Sequence, residues 1–307
     1  MTVERIPAGD RAAWLALRKR DVTASEIAAL FDAHPYKTRF GLYADKTGAG
    51  VDAGDNPAMR RGRILEPAVA EAWFEERRER LVKCDEYLRC SVRRIGATPD
   101  YTRPNGEPVE LKTVAPERWE EWGHAPPLAY QLQALVQAML MDAPRAWLAV
   151  MVDNRAKDLH VSEVPRHPAA EARITTAAAA FWQQVAAGDM PAADYSRDAD
   201  AIAALFPRDN GETIDLSGNN RLPSILSRRA ELKAQISAAE REAETIDAEI
   251  KAAIGDASEA TLPGWRLTLK AQTRPERVVA ASTFRVLRVT DTEKPKARRA
   301  AKQEQPA

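Results

Sequence analysis

The stretch Thr98-Pro99-Asp100-Tyr101-Thr102-Arg103-Pro104-Asn105-Gly106-Glu107-Pro108-Val109-Glu110-Leu111-Lys112-Thr113 decides how this chain is read. Residues 108–114 have the length and apolar content of a strand, and Pro104-Asn105-Gly106 is a turn former. Side chains alternate along a strand, so Glu110 and Lys112 share one face while Leu111 enters the core. The turn folds this strand back on the segment that ends at Pro99-Asp100, which brings Asp100 beside Glu110. Two converging carboxylates suit Mg²⁺, a hard cation that takes oxygen ligands and keeps several waters. Such an ion activates water and neutralises charge during phosphodiester hydrolysis. Lys112 then orients or deprotonates the attacking water, or stabilises transition-state charge. Glu-x-Lys alone is far more often a surface ion pair; the hairpin strengthens the metal-site reading but leaves the surface pair the commoner one.

Outward from this hairpin, residues 88–95, 146–152 and 158–164 read as further short strands, with a helix at 127–141. Another helix, 171–187, ends at Gly188 and Pro191. This order predicts an α/β fold, a mixed sheet flanked by helices. Upstream, residues 11–20 have helical periodicity, with Trp14 and Leu17 on one side. Thr23 followed by Glu26 is a capping-box signature for a second helix through Leu30. Residues 64–80 form a longer amphipathic helix, with Ile64, Leu65, Ala68, Ala72 and Phe74 toward its buried side.

Other candidate site residues sit on these helices. Glu66 lies mid-helix and reads as a solvated carboxylate or as part of the acidic site. Tyr130 and Gln133 are one turn apart on one face, where a glutamine can contact phosphate or water. Ser25 lies in the first turn of a helix, whose unpaired amides attract phosphate, and Arg18 is close enough to add a guanidinium fork. The competing reading has Thr23 and Glu26 only capping the helix, with Arg18 in solvent.

Composition bounds the rest. The chain has 307 residues, 45% of them hydrophobic, enough for one large domain or two modest ones. Its 45 basic and 45 acidic residues cancel, so any DNA contact must come from uneven charge placement. Two cysteines, Cys84 and Cys90, are too few for a disulfide framework or a thiolate cluster. With no apolar run for a signal peptide or membrane span, the expected location is the cytoplasm of a bacterium or phage-infected host. The lack of a Walker-type phosphate loop argues against an ATP-driven helicase on this chain.

The expected domains are a nuclease-like unit at 1–205, a linker at 206–224, a long helix at 225–255, a small β appendage at 256–291 and a disordered basic tail at 292–307. In the long helix Ile225, Leu232, Ile236, Ala239, Ala243, Ile246 and Ile250 form a coiled-coil-like stripe that Arg229 interrupts. A partner-binding coil and a helix packed on its own domain both fit it.

Taken in series, Trp14-x-x-x-Arg18, Thr23-Ala24-Ser25-Glu26, Gly62-x-x-x-Glu66, Thr98-Pro99-Asp100, Glu110-Leu111-Lys112 and Tyr130-x-x-Gln133 resemble the YqaJ-type viral recombinase family. That lambda exonuclease-like group lies in the PD-(D/E)XK nuclease superfamily, and the resemblance spans roughly residues 10–190. It implies a 5′→3′ exonuclease on linear double-stranded DNA whose 3′ overhangs feed phage-type recombination by strand annealing. It further implies Mg²⁺, with Mn²⁺ as a substitute, as two ions. The implied metal ligands are Asp100, Glu110 and the Leu111 carbonyl, with Lys112 serving the attacking water and Glu66 and Gln133 in support. Arg18 and Ser25, with Thr23 and Tyr130 nearby, would take the 5′-phosphate and DNA. Implied partners are duplex ends, a single-strand annealing protein and a homo-oligomer, a trimer by analogy. Two positions depart from the pattern: Tyr101 replaces a frequent glycine, and Leu135 a second glutamine. The alternatives are a PD-(D/E)XK endonuclease or branched-DNA resolvase, and a non-catalytic coiled-coil protein that binds DNA or a partner.

Overall fold

The computed structural model describes residues 2–7, 9, 11–49, 57–152, 159–276, 281 and 283–292. Of the tail expected at 292–307, all but Thr292 lies outside them. The chain divides into two compact units, Met1–Pro207 and Arg208–Ala307.

The first unit begins with β1 (Glu4–Pro7), α1 (Arg11–Arg20), β2 (Val22–Thr23), a 3₁₀ helix (Ala24–Phe31), α2 (Arg39–Lys46) and α3 (Pro57–Arg77). Five strands and two helices follow: β3 (Val82–Lys83), β4 (Glu86–Cys90), β5 (Ile95–Ala97), β6 (Tyr101–Thr102), β7 (Pro108–Val114), α4 (Pro116–Glu121) and α5 (Leu128–Met141). It closes with β8 (Arg145–Val152), β9 (Leu159–Pro165), α6 (Pro168–Ala187) and α7 (Ala199–Leu205). Two sheets result, a four-stranded one ordered β1-β4-β5-β2 and a five-stranded one ordered β3-β6-β7-β8-β9. Both are mixed: β2 runs parallel to β5 and β7 parallel to β8, and the other pairings are antiparallel. The expected α/β architecture of mixed sheets flanked by helices is therefore present.

The largest apolar core joins the 3₁₀ helix, α5, α6 and the first sheet through residues such as Ile27, Leu88, Ile95, Val136 and Phe181. On β7 the alternation is clean. Val109 and Leu111 pack with Val69 and Trp73 of α3, while Glu110 turns to α5. The second sheet is thus covered on both faces, as a sheet with parallel strands requires.

Two expectations are corrected. Residues 88–95 are not one strand but the β4–β5 hairpin, whose turn ends at Arg94 in the left-handed region (φ 50). The helix expected after Thr23 is present as a 3₁₀ helix with its capping box, the Thr23 N–H donating to the Glu26 carboxylate (3.1 Å). On α3 the buried residues are Val69 and Trp73, and Ile64 is exposed. The Trp73 ring meets Trp147 edge to face at 6.2 Å and fixes the rotation of the helix.

The second unit holds α8 (Leu222–Ile254) and a hairpin of β10 (Glu259–Leu262) and β11 (Trp265–Thr268). Residues 208–221 contain no helix or strand.

Candidate active site

The β6–β7 register pairs Tyr101 with Val109 and Thr102 with Pro108, so Asp100 comes level with Glu110 as the hairpin reading expects. Asp100 sits where the chain crosses from the first sheet to the second, and its Oδ2 accepts the Leu111 N–H at 2.8 Å. A strand residue's N–H and C=O point to the same edge, so the Leu111 carbonyl faces the Asp100 side as well. Glu110 is only 2% exposed. Its Oε1 accepts from Lys112 Nζ (2.5 Å) and Gln133 Nε2 (2.6 Å), and its Oε2 accepts from Gln137 Nε2 (2.5 Å). The Lys112 ammonium stands 5.0 Å above the Tyr130 ring.

Electrostatics bind these groups into one cluster. Burial, and then the Glu110 charge, push the Asp100 carboxyl well above its ordinary range, against the opposing pull of Lys112. Burial also disfavours charge on Lys112, but Glu110 and Asp100 outweigh it and hold the amine as a cation. Two carboxylates facing one ammonium carry a surplus of negative charge and of acceptor lone pairs. Glu66, on α3, is near enough to add to the Asp100 shift, yet its Oε2 accepts from Lys83 Nζ at 3.2 Å. Among the described residues no group of three or more His, Cys, Asp or Glu is placed to hold a metal. Asp100 and Glu110 do offer hard oxygen donors of the kind Mg²⁺ takes together with water, although Glu110 already accepts from three side chains. A second ion would have to compete with Lys83 for Glu66.

The amino-terminal set converges separately. Arg18 Nη2 donates to Ser25 Oγ at 3.2 Å, and the Ser25 and Thr23 hydroxyls lie 3.1 Å apart. Thr23 Oγ1 donates to Glu26 Oε2 at 2.8 Å. The Arg18 guanidinium also lies 4.5 Å over the Trp14 ring, and Trp14 Nε1 donates to Thr98 Oγ1 at 3.0 Å. Arg18 is thereby tied to the segment that carries Asp100, rather than free in solvent.

Sequence reasoning missed several partners. Gln137 is fully buried one turn beyond Gln133, and the four-residue spacing was its available signal. Lys37 and Lys46 converge on Glu26 at 3.1 Å and 2.7 Å, and Lys46 also donates to the Arg18 carbonyl at 2.9 Å. Burial raises the Glu26 carboxyl, but Lys46, Lys37 and Arg18 overcome this and hold it far below the ordinary range. Asp45 also pairs with Lys37, so three cations around two carboxylates leave this corner with a small positive excess, which suits an anion.

Among known proteins, the chain is 26% identical over 262 residues to the uncharacterized protein YqaJ of Bacillus subtilis (strain 168), covering 80% of this chain and 78% of that one. It is similar to the solved alkaline exonuclease LHK-Exo of Laribacter hongkongensis, with 21% identity, 58% and 94% of the two chains covered and a TM-score of 0.47. A phage-related exonuclease of Haemophilus somnus 129PT overlaps at 13% identity, with 57% and 99% covered and a TM-score of 0.39. Residues 13–143, which include every side chain of both clusters, match the YqaJ-like viral recombinase domain.

Proposed function

We propose that the Met1–Pro207 unit is a metal-dependent DNA exonuclease that degrades linear duplex DNA from its 5′ ends and leaves 3′ overhangs for recombination by strand annealing. The observation that carries this reading is the convergence of Asp100 and Glu110 across the β6–β7 hairpin, with Lys112 and Gln133 both on Glu110. The viral recombinase domain at residues 13–143 supports a role in recombination.

In this reading Asp100, Glu110 and the Leu111 carbonyl hold Mg²⁺ or Mn²⁺. When bound, the ion supplies Lewis-acid activation of water and neutralises charge on the phosphoryl oxygens. Lys112, held as a cation beside Glu110, stabilises negative charge that develops on the phosphoryl group. Gln133 orients water or phosphate next to Glu110, and Tyr130 walls the site on the Lys112 side. Glu66 supports a second ion only after leaving Lys83. Arg18 and Ser25, with Thr23 behind them, receive the terminal 5′-phosphate through charge-assisted hydrogen bonds. This group favours end recognition over an endonuclease or resolvase, which has no terminus to read. The domain plan belongs to the same proposal: hydrolysis in 1–205, with the segments beyond serving assembly or a single-strand annealing partner.

The test is digestion of 5′-end-labelled linear duplex beside covalently closed circles, with Mg²⁺ present. The reading expects early loss of the 5′ label, untouched circles and no turnover by Glu110→Ala. Cleaved circles would select the endonuclease, and wild-type turnover by Glu110→Ala would remove the site assignment.

A further inference from the structure

The 33-residue helix α8 buries none of its side chains within its own unit. Ile225, Leu232, Ile236, Ile246 and Ile250 are each between 37% and 51% exposed. Together with Arg229, Ala239 and Ala243 they recur at alternating spacings of four and three residues, the core seam of a coiled coil. A seam of this length in water calls for a cover.

Its chemistry says which cover fits. A parallel, in-register pair would set Arg229 against its own copy and leave Ala239 and Ala243 facing themselves, which places like charges and voids in the core. It would also bring Arg228 beside Lys233 and Glu242 beside Asp247 along the flanks. Turning one helix around removes all of these conflicts. The layers then become Ile225 with Ile250 of the second copy, Leu232 with its Ala243, and Ile236 with its Ala239. Each central large residue meets a small one, as interdigitated packing requires. Arg229 lies opposite Ile246 of the second copy, with acidic residues on either side. The flanking pairs become Lys233 with Glu240, Arg228 with Glu249 and Gln235 with Glu242, all opposite or neutral. Arg228 already pairs with Glu231 in its own chain (2.9 Å), but an exposed bond of that kind exchanges readily.

We propose that α8 docks against α8 of a second copy of this chain, antiparallel, and makes the protein a twofold dimer through its second unit. The seam and the charge order specify a self-complementary, isologous contact, in which each half of the helix binds the other half of its copy. This inference does not depend on the nuclease assignment.

Sedimentation equilibrium of the full chain tests it, with circular dichroism to verify that each variant stays helical. The wild type is expected to form a dimer. Lys233→Glu, which turns two attractive flank pairs repulsive, weakens that dimer by roughly tenfold. Adding Glu240→Lys to the same chain restores opposite charges and recovers the affinity. Ile236→Asp, close to the twofold axis, yields monomer. A wild-type monomer or trimer overturns the proposal. So does a dimer that Lys233→Glu leaves unchanged or tightens, the latter being the parallel outcome, and so does a double swap that fails to recover.

Discussion

Replacing Gln137 by leucine separates what the buried amide does for the fold from what it does for the site. The amide must present its NH₂ to Glu110, since two acceptors would repel at 2.5 Å. Its Oε1 then finds no hydrogen-bond partner among the described residues. Losing a hydrogen bond to a charged group costs about 1.5–3 kcal/mol, whereas removing an unpaired buried acceptor recovers about 1–3 kcal/mol. The two nearly cancel, so unfolding free energy should change by no more than about 1 kcal/mol. A leucine would suit a merely structural position as well as a glutamine does. The site should respond differently, because Glu110 Oε2 loses the donor that fixes its rotamer. Loss of such a supporting hydrogen bond typically weakens metal binding tenfold to a hundredfold, about 1.4–2.7 kcal/mol. The assays are calorimetric titration with Mn²⁺ in the absence of DNA and duplex digestion across a Mn²⁺ series, with Gln137→Met as a second variant of similar volume. We expect an intact fold, weakened Mn²⁺ binding and a rate that returns at high metal. Unchanged Mn²⁺ affinity in both variants, with the wild type binding normally, would refute the reasoning.

Three further outcomes are expected. Arg18→Ala should slow digestion of 5′-phosphorylated ends by at least tenfold more than that of 5′-hydroxyl ends, as the loss of a charge-assisted contact implies; equal losses measured on paired substrates would remove the phosphate assignment. Glu26 has a folded-state pKa held below its unfolded value of about 4.3, so its contribution to stability is present above that pH and lost as the pH falls below it. Glu26→Gln should therefore lower stability by about 3 kcal/mol at pH 7, leaving Lys46 buried and unpaired, and should flatten the acid-side decline between pH 5 and 3; denaturant melts that keep the wild-type acid slope would contradict this. A Cβ on Gly96 would stand 2.0 Å from Tyr87 Oη and 2.4 Å from its Cζ. Tyr87 is fully buried and hydrogen-bonded to Asp21 at 3.2 Å, so it cannot yield, and Gly96→Ala should cost about 3 kcal/mol in chemical denaturation.

The parts of the molecule that were legible in the sequence are those set by local rules. Strand alternation placed Glu110 and Lys112 on one face of β7, and a turn of suitable residues brought Asp100 alongside. The helix of residues 11–20 was legible from periodicity, and the end of α6 from Gly188, which takes the left-handed cap (φ 69). What escaped depends on tertiary contact. The break between β4 and β5 rests on a left-handed arginine, Arg94, which no turn propensity predicts. The rotation of α3 is set by Trp147, far along the chain. Lys37 and Lys46 join Glu26 only because α2 packs against the 3₁₀ helix. Gln137 carried a readable spacing, but its partner lies on a strand 27 residues earlier.

Anomalous diffraction from crystals grown with Mn²⁺ would locate the ion itself. A peak about 2.0–2.2 Å from carboxylate oxygens of both Asp100 and Glu110 is the expected result, with Lys112 withdrawn from Glu110. A map with no peak there, or an ion bound elsewhere while Lys112 and both glutamines keep hold of Glu110, would contradict it.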